Sequence, residues 1–327
     1  VQQVLNNQVG FRFAADNTLG TTDVQLMGMS GRNVKILLDG VPMVDRGDTR
    51  ESLNQIDVNS IERIEIVEGP MSVSYGSDAL AGVINIITKK NKNNGLTLTA
   101  KLQEETAGSE YHAFNYKGVH HMNGFGGDTY GRDKSWLPKE QWLGNARISY
   151  DKGPLNIYFR TDLLHEDILS KGAINYGNYK AIDQRYSTDR FTNQLQGAYT
   201  FSKKLQLAAT VAYTDYKRST RTTRHDFEKN TDELTTGEGE QDISKFNSFV
   251  FRTTVQYQLS NKVSLQPGID INREAANGPR IANNPVITDY AAFVSAEVKL
   301  GSKLNIRPGL RFVKNSVVSN NIAIKEG

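Results

Sequence analysis

The sequence predicts a small α+β domain followed by the antiparallel strands of a transmembrane β-barrel. Residues 1–90 mix short apolar strands with Gly and Pro turns, whereas residues 91–327 repeatedly alternate apolar and polar residues. In this second part, short turns alternate with long polar connections, as they do in up-and-down membrane barrels. The polar segment 89–95 connects the two parts.

The segment Lys204 to Tyr216 shows the alternation most clearly. One face is apolar and consists of Leu205, Leu207, Ala209, Val211 and Tyr213. A strand with one apolar and one wettable face is typical of a barrel wall that meets lipid outside and a polar interior. The same pattern predicts about nine strands, near 96–105, 142–150, 154–164, 191–201, 204–216, 246–259, 262–273, 289–300 and 303–313.

The predicted turns fit the same architecture. Tight turns are expected at Asp151–Gly153, Ser202–Lys204, Ser260–Lys262 and Gly301–Lys303, and long polar loops at 106–140, 165–190, 217–245 and 274–288. Aromatic residues beside the tight turns predict an interfacial girdle of Tyr150, Tyr199, Phe201 and Tyr257. Because nine strands do not close a barrel of roughly 22 strands, we expect the chain to be part of a longer protein.

Composition excludes several classes of protein. The net charge of +3 is too small to indicate a nucleic-acid partner, and the absence of Cys excludes disulfides and thiolate metal sites. The mean hydropathy is −0.51. No run approaches the roughly 18 apolar residues of a transmembrane helix. The N-terminus lacks an export signal, so we expect that any such signal has been removed or lies outside this chain.

The N-terminal domain contains one segment whose chemistry is distinctive. Alternation over Ile61 to Val67 predicts a strand with Ile61, Arg63, Glu65 and Val67 on one side and Glu62, Ile64 and Ile66 on the other. Gly69 and Pro70 end this strand, because Pro cannot donate to a β-ladder. A second strand follows at 83–88.

These segments resemble the plug domain of TonB-dependent outer-membrane receptors. Val34 to Pro42 is similar to the strand and Asp-Gly turn of that family, and residues 61–88 are similar to the segment that closes the plug. The resemblance is carried by Asp39, Gly40, Glu62, Arg63, Glu65, Glu68, Gly69, Pro70, Tyr75, Gly76 and Gly82. It implies a plug in residues 1–90 and the beginning of a barrel in residues 91–327.

The resemblance also implies a function. Receptors of this kind lie in the outer membrane of Gram-negative bacteria and import a scarce nutrient such as a ferric siderophore, haem, cobalamin or a glycan. The energy comes from TonB, which pairs with a segment expected upstream of Val1. The expected partners are TonB, outer-membrane lipids and a small-molecule nutrient, with a surface lipoprotein as an open alternative; no nucleic acid or cofactor is implied. A plugged surface receptor with a signalling or binding role is the alternative function.

Two positions depart from the pattern of the family. Its plugs often carry an Arg in each of two motifs, where this chain has Met27 and Glu68. The arginine lock between plug and barrel therefore cannot be transferred. Our hypothesis is that Glu68 instead meets a lumen-facing cation, with Arg147, Arg160 and Arg252 as candidates.

The resemblance implies that plug loops and extracellular loops hold the cargo. The candidates for substrate binding are Asn17, Asp45, Arg46, Asp48, Arg50 and Trp136. Charged and aromatic side chains can grip a polar or ring-shaped ligand. Two alternatives stay open, since a plug loop in water is normally charged and an interfacial girdle also requires aromatic residues.

Metal sites and catalysis find little support in the sequence. His120 and His121 suggest a haem or metal site, but adjacent strand residues point to opposite faces, so the pair requires an irregular loop. The acidic segment 232–242 lacks the spacing of a calcium loop. No nucleophile motif or paired catalytic carboxylate is found, which predicts a protein that is not an enzyme.

Overall fold

The structure is a computed structural model of the whole chain. It describes residues 5, 10–16, 21–26, 28–30, 34–43, 55–68, 76, 81–90, 102–106, 112–116, 119–123, 132–133, 137, 139–300, 304–317 and 321–323. The described residues form two small sheets in the N-terminal domain and one large sheet, which is the wall against which that domain packs.

The N-terminal domain, the predicted plug, contains seven of the described strands. They are β1 (Phe11–Asp16), β2 (Thr21–Leu26), β3 (Met29–Ser30), β4 (Val34–Leu38), β5 (Val41–Pro42), β6 (Ile61–Glu68) and β7 (Gly82–Thr88). Strands β1 to β3 form one sheet, and the other has the order β5-β4-β7-β6. A 3-10 helix at Val58–Ser60 leads into β6. Strands β4 and β7 are parallel, so the chain must cross over between them.

The core of the plug lies on the sheet that contains β7. Leu26, Leu37, Val83, Ile84 and Ile86 are fully buried. Burying side chains of this kind contributes about 1.5–3 kcal/mol each. No described segment is a helix of the length and apolarity needed to span a membrane.

The predicted side of one β6 residue, Ile61, is wrong. Ile61 packs against the core together with Ile64 and Ile66, although simple alternation placed it on the opposite side. The reason is a register shift between Ile61 and Arg63, where β6 carries a bulge opposite β7. A bulge inserts one extra residue and thereby reverses the side on which the preceding residue lies.

The Asp39-Gly40 turn joins β4 to β5 as a two-residue hairpin. Leu38 pairs with Val41 across the turn. Both turn residues have positive φ, 50° for Asp39 and 81° for Gly40. This geometry is that of a type I′ turn, which Asp-Gly favours because Asp tolerates the left-handed region and Gly has no Cβ.

The wall is a 14-stranded antiparallel sheet. Its strands are β8 (Leu102–Thr106), β9 (His112–Tyr116), β10 (Val119–Asn123), β11 (Lys139–Lys152), β12 (Leu155–Lys171), β13 (Lys180–Ser202), β14 (Leu205–Asp226), β15 (Thr231–Leu234), β16 (Ile243–Gln258), β17 (Val263–Asn277), β18 (Val286–Leu300), β19 (Leu304–Ile306), β20 (Gly309–Asn315) and β21 (Asn321–Ala323). Strands follow one another in chain order across the sheet, except that β15 pairs only with β14 and β19 only with β18, so that β14 lies next to β16 and β18 next to β20. Strands β8 and β21 form the two edges in the described part of the chain.

The two faces of the wall have opposite character, as predicted. On β14, Val211 is 37% exposed and Tyr213 44%, whereas Ala212, Thr214 and Tyr216 are buried. Exposed apolar residues recur on the same side of the neighbouring strands, among them Ile148, Phe159, Leu163, Leu195, Phe249, Ile269, Val294 and Phe312. Strands with lipid outside and a polar interior have this pattern.

The strands extend much further than predicted. Strand β13 has 23 residues and β14 has 22. They include large parts of the segments 165–190 and 217–245, which were predicted to be loops. Above the apolar band both faces of a strand meet water or polar groups, so the hydropathy alternation ends while the backbone ladder continues.

Several short strands were also missed. Strands β9, β10, β15 and β21 lie outside the predicted set, and the predicted strand 303–313 is divided into β19 and β20. The division falls at Arg307 and Pro308, because Pro cannot donate to the ladder. The other four are only three to five residues long, which is too short for a clear alternation.

Three of the four predicted tight turns and the aromatic girdle agree with the prediction, and the fourth turn, 301–303, lies outside the described residues. Tyr150, Tyr199, Phe201 and Tyr257 are all exposed near the tight turns. The rings of Tyr199 and Phe201 pack edge to face, with centroids 4.7 Å apart. Aromatic side chains in this position are typical of the interface between lipid and water.

A close approach at Gly268 gives a test of the wall. A Cβ at this position would lie 2.6 Å from the Thr253 carbonyl oxygen and 2.9 Å from Phe293 Cε1. We expect Gly268→Ala to destabilise the wall by about 1–3 kcal/mol, because a methyl group must displace the Phe293 ring. The measurement is the temperature at which the folded form of the full-length receptor is lost on SDS gels.

Gly197→Ala is the matched control. The nearest atom to a Cβ at Gly197 is Ile157 Cγ1 at 3.8 Å, an ordinary contact. Equal unfolding temperatures for the two variants would contradict the packing described at Gly268.

Candidate functional site: the interface between plug and wall

Asp39 is the centre of the first contact between the plug and the wall. Its Oδ1 accepts a hydrogen bond from the Thr88 backbone N–H at 2.8 Å, and its Oδ2 accepts one from Thr88 Oγ1 at 2.6 Å. From the wall, Gln196 Nε2 donates to the Asp39 carbonyl oxygen at 2.5 Å. The buried carboxylate is therefore held on the plug side and approached by polar groups of the wall.

Arg147 supplies the positive charge of this contact. Its Nη1 lies 3.7 Å from Asp39 Oδ2 and donates to Thr88 Oγ1 at 3.2 Å. The guanidinium carbon also lies 3.5 Å from the centre of the Tyr158 ring. Charge pairing and cation–π contact together hold Arg147 against the plug at a place where few waters can screen the interaction.

Gln55 forms a second contact, in which the wall surrounds one plug side chain. Its Nε2 donates to Glu166 Oε1 at 3.1 Å, while Arg190 donates to Gln55 Oε1 at 3.1 Å and to the Gln55 carbonyl oxygen at 2.9 Å. Glu166 is itself neutralised by Lys139 Nζ, 2.6 Å from its Oε2. All four side chains are buried, so each polar group depends on its partners rather than on solvent.

An apolar contact and a cavity lie between these two contacts. Val41 of the plug packs against Ala212 and Val250 of the wall. The cavity has a volume of about 40 Å³, which gives room for a few water molecules. Gln194 lines it and is 1% exposed, and its amide offers a donor and an acceptor that have no partner among the described residues. The interface is therefore partly apolar and partly suited to hydration.

The three cations considered for Glu68 have other carboxylate neighbours. Arg147 faces Asp39, Arg160 donates to Asp162 on its own strand, and Arg252 donates to Asp270 at 2.9 Å. Arg311 meets the same Asp270 oxygen at 2.9 Å. The side chain of Glu68 lies outside the described residues, so its pairing stays a prediction.

The plug residues that carried the resemblance lie in different parts of the plug. Asp39 and Gly76 lie at the interface, where Gly76, with φ 94°, is beside Arg311. The Gly40 N–H donates to Asn85 Oδ1 at 2.9 Å within the plug. Gly82 begins β7. The exposed group is Glu62, Arg63 and Glu65, and its Arg63 pairs with both carboxylates. Gly69, Pro70 and Tyr75 lie outside the described residues.

None of the predicted cargo-binding residues belongs to the described part of the chain. They are Asn17, Asp45, Arg46, Asp48, Arg50 and Trp136. Their role therefore stays a prediction. His120 and His121 fall in strand β10, not in the irregular loop that shared metal ligation would need.

The contacts of Gln55, Glu166 and Arg190 were missed at the sequence level. Gln55 and Glu166 are 111 residues apart, and neither stands in a recognisable motif. The position of Glu166 and Arg190 in the wall could have predicted these contacts. Both lie on the inward side of β12 and β13, where water is excluded, so they require polar partners on the plug.

Above the plug, the inner side of the wall carries aromatic and cationic groups. Tyr216 and Phe246 have ring centroids 6.0 Å apart, and the Arg218 guanidinium lies 5.3 Å from the Tyr186 ring. Arg218 Nη1 has no hydrogen-bond partner among the described residues. These groups give the lumen a surface that can accept a flat or anionic molecule.

The outer hairpins are tied together by short polar contacts. At the outer end of β14, Asp226 accepts hydrogen bonds from the backbone N–H groups of Glu228 and Lys229, both at 3.1 Å. The Lys229 N–H, followed by Lys180 3.2 Å away, lowers the pKa of Asp226. In the acidic segment, Asp232 pairs with His225 and Asp242 with Arg280. These carboxylates stabilise the loops.

The family comparison supports the assignment of the plug. Residues 1–83 match the model of the TonB-dependent receptor plug domain. An iron-regulated outer-membrane virulence protein of Vibrio cholerae is 36% identical over 107 residues, which is 29% of this chain and 16% of the relative. The ferrienterobactin receptor of Escherichia coli K12 is 33% identical over 104 residues, 28% of this chain and 14% of the relative.

The solved structures extend the similarity to the wall. The ferric yersiniabactin uptake receptor FyuA from Yersinia pestis superposes with a TM-score of 0.65 over 96% of this chain at 17% identity. At that identity the likeness is one of fold. The chain spans about half of that receptor, 54% of its length. Residues 1–83 thus match the plug domain of TonB-dependent receptors, and plug and wall together share the fold of a solved uptake receptor over about half of its length.

Proposed function

We propose that the receptor to which this chain belongs imports a nutrient across the outer membrane with energy transmitted by TonB. The observation that carries the proposal is a family-specific plug in contact with the inner face of a barrel wall. A plug that fills the lumen blocks passive diffusion, so transport requires it to be rearranged. TonB is the partner that the plug family implies, and no catalytic step is part of the proposal.

The proposed cargo is a ferric siderophore. Support comes from the names of the relatives, which include a ferrienterobactin receptor and a ferric yersiniabactin receptor. It also comes from Arg218, Tyr186 and Tyr216 above the plug, since ferric siderophores are commonly anionic and many carry aromatic rings. A cationic group beside aromatic rings attracts such a molecule more strongly than it attracts a neutral glycan.

The proposed resting state is one in which the wall holds the plug through Asp39 and Gln55. Both contacts are buried and charge-assisted, so they resist spontaneous opening. The two contacts involve only a few polar side chains, and water can solvate these side chains once the plug moves. Force transmitted through the plug can therefore break them and let them form again.

Uptake by cells tests the transport proposal. A strain that lacks its own siderophore receptors would carry the full-length receptor with or without TonB. The measurement is accumulation of radioactive iron supplied as catecholate or hydroxamate siderophore, with haem, cobalamin, a copper chelate and an oligosaccharide as competing cargoes. We expect iron from one siderophore class to accumulate only when TonB is present.

Three outcomes would contradict this account. Equal uptake without TonB would reject energised import. TonB-dependent uptake of the oligosaccharide alone would keep the mechanism and reject the cargo. A receptor that binds siderophore and alters gene expression without importing iron would favour a signalling role.

Removal of Arg147 tests how the plug is held. In Arg147→Ala the buried Asp39 carboxylate loses its cation and the Tyr158 ring loses its stacked partner. We expect the free energy that holds the plug against the wall to fall by about 3 kcal/mol. Added protease should then cleave the plug faster. Arg147→Lys keeps the charge but not the planar stacking, so it should be intermediate.

Arg307→Ala is the control for this experiment. Arg307 is 70% exposed and its contact with Glu297 is a surface ion pair, which contributes little. Equal protease sensitivity of Arg147→Ala and Arg307→Ala would exclude Arg147 from holding the plug.

A further inference from the structure

One strand of the wall, β13, takes part in both of the polar contacts that hold the plug. Arg190 of this strand donates to Gln55, and Gln196 of the same strand donates to the Asp39 carbonyl oxygen. The two wall residues are six positions apart, which is about 20 Å along a strand. Because residues an even number of positions apart share one side of a strand, both lie on the inward face. The inward face of β13 therefore runs from one plug contact to the other.

Gln194 lies between these two contacts, on the same face of β13. It lines the cavity together with Val41, Pro42 and Ile56 of the plug. Its side chain is 1% exposed, and neither its amide nitrogen nor its amide oxygen has a hydrogen-bond partner within the described residues. A buried amide without such partners raises the free energy of the state that contains it. The resting contact between plug and wall is thus unfavourable at this point.

Separation of the plug from β13 would remove this unfavourable term. Water, or the polar groups of a passing molecule, can then bond to the Gln194 amide. The apolar contact beside the cavity is small, since it joins Val41 to the side chains of Ala212 and Val250. The interface therefore resists opening mainly at the polar contact on either side of the cavity.

The inward face of β13 also leads from the lumen above the plug to the cavity. Tyr186, whose ring lies beneath the Arg218 guanidinium, is on this face, four residues before Arg190. In the other direction, Gln196 is six residues from Ser202, where the strand ends at a tight turn. One strand face thus connects the aromatic and cationic surface of the lumen with the side of the wall that carries the tight turns.

We propose that cargo passes the plug along the inward face of β13, through the cavity at Gln194. The contact of Gln55 with Arg190 closes this path towards the lumen, and the contact of Asp39 with Gln196 closes it towards the tight turns. Both contacts open and the cavity widens before a molecule passes. The Gln194 amide, with its donor and its acceptor, then binds the polar surface of the cargo in transit. The inference rests on the proposed function, the import of a ferric siderophore with energy from TonB.

Thiol labelling in cells tests the path. Gln194→Cys and the control Ala291→Cys would be placed singly in a full-length receptor without other cysteines, and binding of ferric siderophore establishes that each variant is folded. Ala291 is also buried, at 4% exposed, but it lies on β18, four strands away across the sheet. With a methanethiosulfonate reagent, we expect Gln194→Cys to react about tenfold faster when siderophore and TonB are both present, because the path then opens. Ala291→Cys should react at the same rate with and without TonB.

Blockage of the path is the second measurement. Modification of Gln194→Cys with a benzyl methanethiosulfonate places an aromatic group in the cavity. We expect iron import to fall about tenfold or more, while siderophore binding is unchanged because the lumen above the plug stays accessible. Reduction of the mixed disulfide should restore import.

Two results would overturn the proposal. The first is undiminished import through a receptor whose Gln194→Cys is fully modified, as measured by mass spectrometry. The second is labelling of Gln194→Cys that siderophore and TonB do not accelerate, or accelerate equally at Ala291→Cys.

Uptake by the unmodified parent separates this failure from a failure of the proposed function. Equal siderophore uptake without TonB, or no uptake at all, rejects the transport function itself. TonB-dependent uptake by the parent together with unaffected import through modified Gln194→Cys rejects only the path along β13.

Discussion

The structure depends on the polar inner face of the wall, which must find partners once water is excluded. Glu166 and Arg190 are 1% and 9% exposed. Leaving such groups without hydrogen bonds costs about 1–3 kcal/mol each and more when they are charged. The plug supplies several of the partners through Asp39 and Gln55. The polar inner face of the wall and the polar side chains of the plug therefore stabilise one another.

Much of the fold was predictable from the sequence because the membrane imposes a strong pattern. The alternation on β14 and the Asp39-Gly40 turn are local, and each has one good structural solution. The outer halves of β13 and β14 were not predictable, since both of their faces are polar. The bulge at Ile61 was also hidden, because an inserted residue changes the phase of a strand without changing its composition.

The candidate site was predictable only in part. Family motifs pointed to Asp39, whose backbone carbonyl and carboxylate meet Gln196 and Arg147 of the wall. The contact of Gln55 with Glu166 joins residues far apart in the chain, and either residue alone would pass for an ordinary exposed polar side chain. Arg147 faces inward and meets the carboxylate of Asp39, and the partner of Glu68 stays a prediction. Which inward groups pair is decided by register across the whole wall.

The central claim is that the plug rests against the wall and must leave it for cargo to pass. The chain has no Cys, so Gln55→Cys/Glu166→Cys allows a specific, reducible bridge between plug and wall. The direct measurement is iron uptake by the full-length receptor, with the bridge closed by a bifunctional thiol reagent and then reduced, against treated single-cysteine controls. The account predicts cargo binding without import while the bridge is closed and recovery of import on reduction. Undiminished import through a fully bridged receptor would contradict it.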